Sequence, residues 1–253
     1  MGKIIAIANQ KGGVGKTTTA INLSAAVANE NKKVLVIDFD QQGNATSGFG
    51  LSLDSNKTIY ELIMKHIDIN DVIVKTSTAN CDIVPANINL AGATVELVNY
   101  ENREFFLKNA ILPIKNNYDY IFIDCPPSLG MLTINGLTAC DTVLIPLQTE
   151  FFALLGISQL IDTINLIKQS VNPSISIEGV ILTMLDKRTH LTDDVIKNTI
   201  RHFGNKVYKT MIPRNVKVAE SPSFGVPVLV HDKNCVGSKA YIDLAREFIN
   251  GEK

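Results

Sequence analysis

The stretch Ile4-Ile5-Ala6-Ile7-Ala8-Asn9-Gln10-Lys11-Gly12-Gly13-Val14-Gly15-Lys16-Thr17-Thr18 joins an apolar, strand-forming run to a helical pattern that starts near residue 16. A glycine-rich loop between a strand and a helix is a phosphate cradle. Its backbone N–H groups point at the phosphates and the helix N-terminus adds positive potential, while Lys16 reaches the β/γ-phosphates and the Thr17 hydroxyl can ligate Mg²⁺. Gly12, Gly13, Val14, Gly15 and Thr18 complete the expected nucleotide-binding positions. The ordinary pattern G-x-x-x-x-G-K-[ST] would place glycine at position 10. Gln10 stands there instead, with a second lysine, Lys11, beside it.

Working outward, apolar runs rich in Val and Ile recur at Val34–Phe39, Asp82–Val84, Tyr120–Ile123, Thr142–Leu147, Val180–Leu185, Val207–Ile212 and Val226–Val230. Helical patterns lie between them at 16–29, 58–65, 103–115, 154–170, 192–203 and 238–250. This alternation predicts an α/β fold, a doubly wound and mostly parallel sheet with helices on both faces. At 253 residues the chain suits a single domain spanning 1–253. Segments 41–57 and 68–80, richer in Asn, Gly, Ser, Asp and Thr, read as loops. The last pattern carries an apolar stripe, with Ala240, Leu244 and Phe248 beside Tyr241, Ala245 and Ile249. Its mixed Asp243, Arg246, Glu247 and Glu252 suit core packing rather than membrane targeting.

No apolar run approaches the ~18 residues needed to span a bilayer, and the N-terminus lacks a signal-peptide core, so a cytoplasmic location and no membrane partner are expected. Cys81, Cys125, Cys140 and Cys235 form no C-x-x-C pair, so a disulfide framework or zinc site is not expected. The net charge is only −1, yet from residue 186 onward Lys and Arg outnumber acids 12 to 8. Between Val195 and Ala219 there is no acid at all, which permits an anionic partner such as DNA.

Two further segments carry chemistry. Ile37-Asp38-Phe39-Asp40-Gln41-Gln42-Gly43-Asn44 puts acids at the C-terminal end of a Val-rich strand, the edge where open parallel sheets bind ligands. Tyr120-Ile121-Phe122-Ile123-Asp124-Cys125-Pro126-Pro127-Ser128 has the form of a Walker B strand. Its terminal carboxylate can hold Mg²⁺, often through water. Cys125 reads as a small core residue.

The loop Lys11-Gly12-Gly13-Val14-Gly15-Lys16-Thr17 resembles the deviant Walker A box of the ParA/MinD/nitrogenase-iron-protein group of ATPases. The resemblance runs through nearly the whole chain and is strongest to ParA/Soj-type partitioning ATPases. It includes Leu90-Ala91-Gly92-Ala93-Thr94-Val95-Glu96-Leu97, Leu182-Thr183-Met184-Leu185-Asp186-Lys187-Arg188-Thr189 and Ile212-Pro213-Arg214-Asn215-Val216. Asp38 to Asn44 resembles the family's switch I, with Gln41 where proline is common, and Pro126-Pro127-Ser128 resembles switch II.

The resemblance implies ATP and Mg²⁺ as cofactors and a catalytic set of Lys11, Lys16 and Asp40. Asp40 would orient the attacking water, Thr17, Asp38 and Asp124 would serve the metal, and Pro213 and Asn215 would contact the adenine. Lys11 would reach across an ATP-dependent homodimer to the partner's phosphates. The implied function is DNA segregation: an ATP-bound dimer coats nucleoid DNA without sequence preference, and a ParB-type centromere-binding protein stimulates its slow hydrolysis. Arg188, Arg214, Lys217, Lys233 and Lys239 are the candidates for DNA phosphate contacts. Because the loop begins at residue 11, an N-terminal helix-turn-helix is not expected. A MinD-like cell-division ATPase, a nucleotide-switched regulator of replication or transcription, and a P-loop metabolic ligase are the alternatives.

Overall fold

The computed structural model describes residues 2–150, 153–186 and 190–251. In chain order the elements are β1 (Lys3–Ile7), α1 (Lys16–Asn29), β2 (Val34–Asp38), α2 (Asn44–Gly48), α3 (Ile59–Met64), β3 (Val74–Lys75) and β4 (Cys81–Val84). They continue with α4 (Leu90–Glu96), α5 (Phe106–Ile111), β5 (Tyr120–Asp124), α6 (Met131–Ala139), β6 (Thr142–Gln148), α7 (Ala153–Ser170) and β7 (Ser176–Thr183). The last four are α8 (His190–Phe203), α9 (Val216–Glu220), α10 (Val228–His231) and α11 (Val236–Asn250). The sheet runs β3-β4-β2-β5-β1-β6-β7, and every neighbouring pair is parallel except β3 with β4.

The central strands are covered on both faces, which is why they read as continuous apolar runs. Side chains still alternate. Ile4, Ala6 and Ala8 share a core with residues of α3, α4, α5, α6 and α7, whereas Ile5 and Ile7 share one with α1, α10 and α11. In α11 the stripe does pack inward: Tyr241, Leu244, Ala245 and Phe248 are buried. Each such Leu or Phe removed from water contributes roughly 1.5–3 kcal/mol.

Two expected strands are absent. In 207–212 the amides of Tyr208 and Ile212 bond to β7 carbonyls, but those of Lys209 and Thr210 are captured by the Glu247 carboxylate at 2.7 and 2.9 Å. The segment is drawn off the sheet edge, and only isolated bridges at Val207 and Pro213 remain. In 226–230 the chain turns helical after Pro227, and the first amide of α10, on Val228, bonds to Asn22 Oδ1 at 2.7 Å. The expected helix over 103–115 is also broken. Only Phe106–Ile111 is α-helical, and 3₁₀ turns take over around Pro113, which has no N–H to continue the ladder. The presumed loops 41–57 and 68–80 hold α2 and β3.

The order β2-β5-β1 sets three strand tips side by side. Asp38 pairs in register with Asp124, and Asp124 with Ile7, so the loops leaving β1, β2 and β5 open on one edge. The chain leaves β1 towards β2 on one side and places β6 on the other, making this edge a crevice at the topological switch point.

Candidate active site

The loop after β1 is shaped by backbone geometry that a side chain would oppose. Gly13 and Gly15 have φ of +74° and +89°. A Cβ placed on Gly12 or Gly13 would meet no protein atom within 4 Å, so the inner surface of the loop is open to the crevice. Gly15 caps α1 with no side-chain acceptor, leaving the first-turn N–H groups of α1 for a ligand. Three contacts hold the loop in shape. Asn9 Nδ2 donates to Pro146 O at 2.7 Å, Lys11 N donates to Asn9 Oδ1 at 3.0 Å, and Thr183 Oγ1 donates to Val14 O at 2.8 Å.

Lys16 is buried at the base of this cradle, where its Nζ donates to the Lys11 carbonyl at 3.1 Å. Burial pulls its ammonium below the usual lysine range, against Asp124, Cys125 and Asp40, which favour the charge. An anion entering the cradle therefore meets a cation that is poorly solvated and held by one neutral acceptor.

The acids occupy distinct positions. Asp124, at the tip of β5, is fully buried, and neither carboxylate oxygen finds a hydrogen-bond donor in good geometry among the described residues. Burial, followed by the charge of Asp38, lifts its carboxyl well above the usual range; the Thr17 hydroxyl and the Lys16 ammonium act the other way. Two unpartnered carboxylate oxygens facing a threonine hydroxyl are a hard-oxygen donor set of the kind Mg²⁺ takes, so the residues present fit the ion. Asp38 is committed differently. Its Oδ2 accepts from the Thr46 amide at 2.7 Å and the Thr46 hydroxyl at 2.6 Å, and its Oδ1 from the Asp40 amide at 3.3 Å. Burial nevertheless raises its carboxyl to about 6. It braces the start of α2 and the loop that presents Asp40. Asp40 is 7% exposed and lines the cleft, its Oδ1 accepting from the Gln42 amide at 3.0 Å.

The glycine loop, Lys16, Thr17 and Asp40 line a cleft of about 560 Å³ together with Thr94, Pro126 and Met131, while Asp38 and Asp124 lie buried outside its lining. A second cavity of about 200 Å³ shares Gly15, Thr18 and Met184 with it and is lined by Pro213, Asn215 and Tyr241. Asn215 also caps α9, its Oδ1 accepting from the Val218 amide at 3.3 Å, so what it offers the cavity is its amide N–H groups. A polyphosphate in the first space and a purine in the second match both chemistry and volume.

The expected DNA contacts are not gathered in one cluster. Arg188 lies outside the described residues. Arg214 is exposed at the rim of the smaller cavity, beside the first turn of α1. Lys233 borders a groove with Asn29 and Asn31 at the other end of α1, about 20 Å away along its 14 residues. Lys239 is exposed on α11, and Lys217 is paired with Glu220 at 3.0 Å.

Sequence reasoning missed Asn9, Thr46, Thr94 and Thr183. Asn9 directly follows β1 and Thr46 acts on Asp38 eight positions away, whereas Thr183 reaches Val14 across the chain and Thr94 lines the cleft from α4.

Cys81, Cys125 and Cys140 are buried. Burial pushes the Cys81 and Cys140 thiols to about 12 and Cys125 well above its usual value, which suits packing and not nucleophilic chemistry.

Comparison with known proteins agrees with this geometry. A family model described as an AAA domain matches residues 2–177. The chain is 53% identical over 248 residues to the sporulation initiation inhibitor protein Soj of Bacillus subtilis, covering 98% of each chain. It is 49% identical to the chromosome partitioning protein ParA of Caulobacter vibrioides, covering 99% of this chain and 95% of that one. Among solved structures, a Mycobacterium smegmatis protein named cobyrinic acid a,c-diamide synthase, with bound ATP analogue and magnesium, superposes with a TM-score of 0.89. It is 34% identical, and the match covers 100% of this chain and 96% of that one. With a lysine-bearing glycine loop, two acidic strand tips and relatives aligned end to end, the chain belongs to the ParA/Soj-type chromosome-partitioning ATPases of the ParA/MinD family.

Proposed function

We propose that this ATPase segregates DNA by alternating between a nucleotide-free or ADP-bound monomer and an ATP-bound sandwich dimer that holds duplex DNA without sequence preference. The observation that carries this reading is the direction of Lys11. Its carbonyl faces its own cradle, accepting from Lys16, while its ammonium reaches outward to Glu150. A cation not committed to its own nucleotide is available to the phosphates of a second copy.

Within each protomer, Lys16 and the amides of Gly12 to Thr18 bind the phosphates, and Pro213 and Asn215 bind the base. Thr17 and Asp124 would hold Mg²⁺, which would offset the negative charge of the phosphates. Asp38 fixes the loop through Thr46 and so places Asp40. Asp40 orients the attacking water in the cleft. Lys11 of the partner subunit adds positive charge where the transition state spreads its negative charge, which a water-poor dimer interface strengthens.

Arg188, Arg214, Lys217, Lys233 and Lys239 supply the phosphate contacts. A protein of net charge −1 attracts DNA poorly in bulk, so doubling the contacts in one rigid dimer makes binding ATP-dependent. A ParB-type protein stimulates hydrolysis and returns the protomers to the monomer pool near the nucleoid.

The test is duplex binding by fluorescence anisotropy in the apo, ADP and ATP·Mg²⁺ states. Binding only with ATP·Mg²⁺, weakening steeply with salt and abolished by Arg188→Glu with Lys217→Glu, is the expected result. Equal affinity in all three states overturns the reading.

A further inference from the structure

One acid is set among the basic residues of the C-terminal region. Glu220 ends α9 and is the first acid after the acid-free run from Val195 to Ala219. Its Oε2 accepts from Lys217 Nζ at 3.0 Å, and the same oxygen lies 3.5 Å from His231 Nε2 on α10. The His231 ring is held by Phe224, the ring centroids 4.6 Å apart. Glu220 is thus fixed between two donors on adjacent helices, with 40% of its side chain exposed and 46% of Lys217 exposed.

We propose that Glu220 limits the affinity of the DNA surface by serving as the standing counter-ion of Lys217, which a backbone phosphate must displace. The proposal rests on the DNA-binding reading above and assigns Glu220 a role in setting how tightly, and with what salt dependence, that surface holds a duplex.

The physical balance favours exchange. An ion pair this exposed is weak, because water screens it and two flexible side chains must be ordered to make it. A duplex presents one negative charge per roughly 1.7 Å of axis and gains from counter-ion release at each neutralised phosphate. Lys217 therefore moves from carboxylate to phosphate when DNA is close and returns when it leaves. Both partners lean towards their charged forms chiefly through their mutual hydrogen bond: the Glu220 carboxyl sits below its usual range and the Lys217 ammonium above it.

The experiment is anisotropy of a fluorescent 24-base-pair duplex (~24 bp, long enough for two protomers), with ATP·Mg²⁺, across a salt series. It compares the parent, Glu220→Gln, Lys217→Gln and the double variant. Glu220→Gln is expected to bind about five-fold more tightly per protomer, with a log–log salt slope steeper by up to about 0.9. Lys217→Gln binds more weakly, and in its background Glu220→Gln gives no gain, because the acid acts through that lysine. A parent that binds while Glu220→Gln binds equally well, or a gain that persists without Lys217, overturns this proposal alone. A parent that shows no ATP-dependent duplex binding overturns the DNA-binding reading and this proposal with it.

Discussion

The ammonium of Lys11 lies 2.5 Å from the Glu150 carboxylate, an ion pair that spans 139 positions and ties the glycine loop to the segment after β6. Both side chains are well exposed, so the pair contributes at most about 1 kcal/mol and breaks readily. A lysine parked in this way is available to a second protomer.

Lys11→Ala is therefore expected to keep nucleotide affinity within about three-fold, since only a weak surface pair is lost. It should fail to dimerise with ATP. Light scattering with ATP·Mg²⁺ reads this directly, and a normal dimer would return Lys11 to a role within its own subunit.

Lys16→Ala should behave in the opposite way. Removing the buried cation deletes charge-assisted hydrogen bonds worth about 1.5–3 kcal/mol each, so ATP affinity falls by about 100-fold or more. Isothermal calorimetry measures it. Unchanged affinity would mean that the backbone amides of Gly12 to Thr18 alone hold the phosphates.

Asp40→Ala is expected to trap ATP. Thr17, Asp124 and Lys16 remain in place, while hydrolysis loses the roughly 10²–10⁴-fold that a positioned acid–base group supplies. Single-turnover hydrolysis combined with size analysis should find a slow, ATP-loaded dimer. Parent-like hydrolysis would leave Asp40 a structural residue of the switch loop.

The thiols offer a check on the fold at mildly alkaline pH. With Cys81 and Cys140 raised to about 12 by burial, and Cys125 raised as well, each stays a neutral thiol at pH 8, with roughly one molecule in 10⁴ ionised for a pKa of about 12. Because their proton is lost only near the raised value, reactivity grows with pH far above 8 and not below it. Native alkylation at pH 8 followed by mass spectrometry should label Cys235, which is half-buried, and spare the other three. Fast labelling of Cys125 would contradict its packing against α6, where a Cβ on Gly136 would approach its sulfur to 2.9 Å.

The phosphate cradle, the acidic strand tips and the parallel sheet were legible because each is local: spacing within nine residues around Lys16, and apolar strands ending in Asp38 and Asp124. Contacts between distant segments were not. The hold of Thr46 on Asp38 spans only eight positions, but no residue pattern marks that threonine as the partner of the acid. Val207 to Ile212 has every mark of a strand, yet Glu247, some 37 residues on, takes the amides of Lys209 and Thr210 and stops the ladder. Pro227 was a readable warning against a strand at 226–230, since it both fixes φ and removes a donor. Lys217 reads as a free cation until α9 brings Glu220 three residues on to its ammonium.

The proposed cycle couples nucleotide turnover to both DNA and a centromere-binding partner. Steady-state phosphate release should be measured with neither, with duplex DNA, with a ParB-type protein from the same replicon, and with both. Slow turnover alone and a rise of at least about ten-fold only when both are present is the predicted result, equivalent to about 1.4 kcal/mol of barrier lowering. A rate that is already high without them, or that responds to neither, would contradict it.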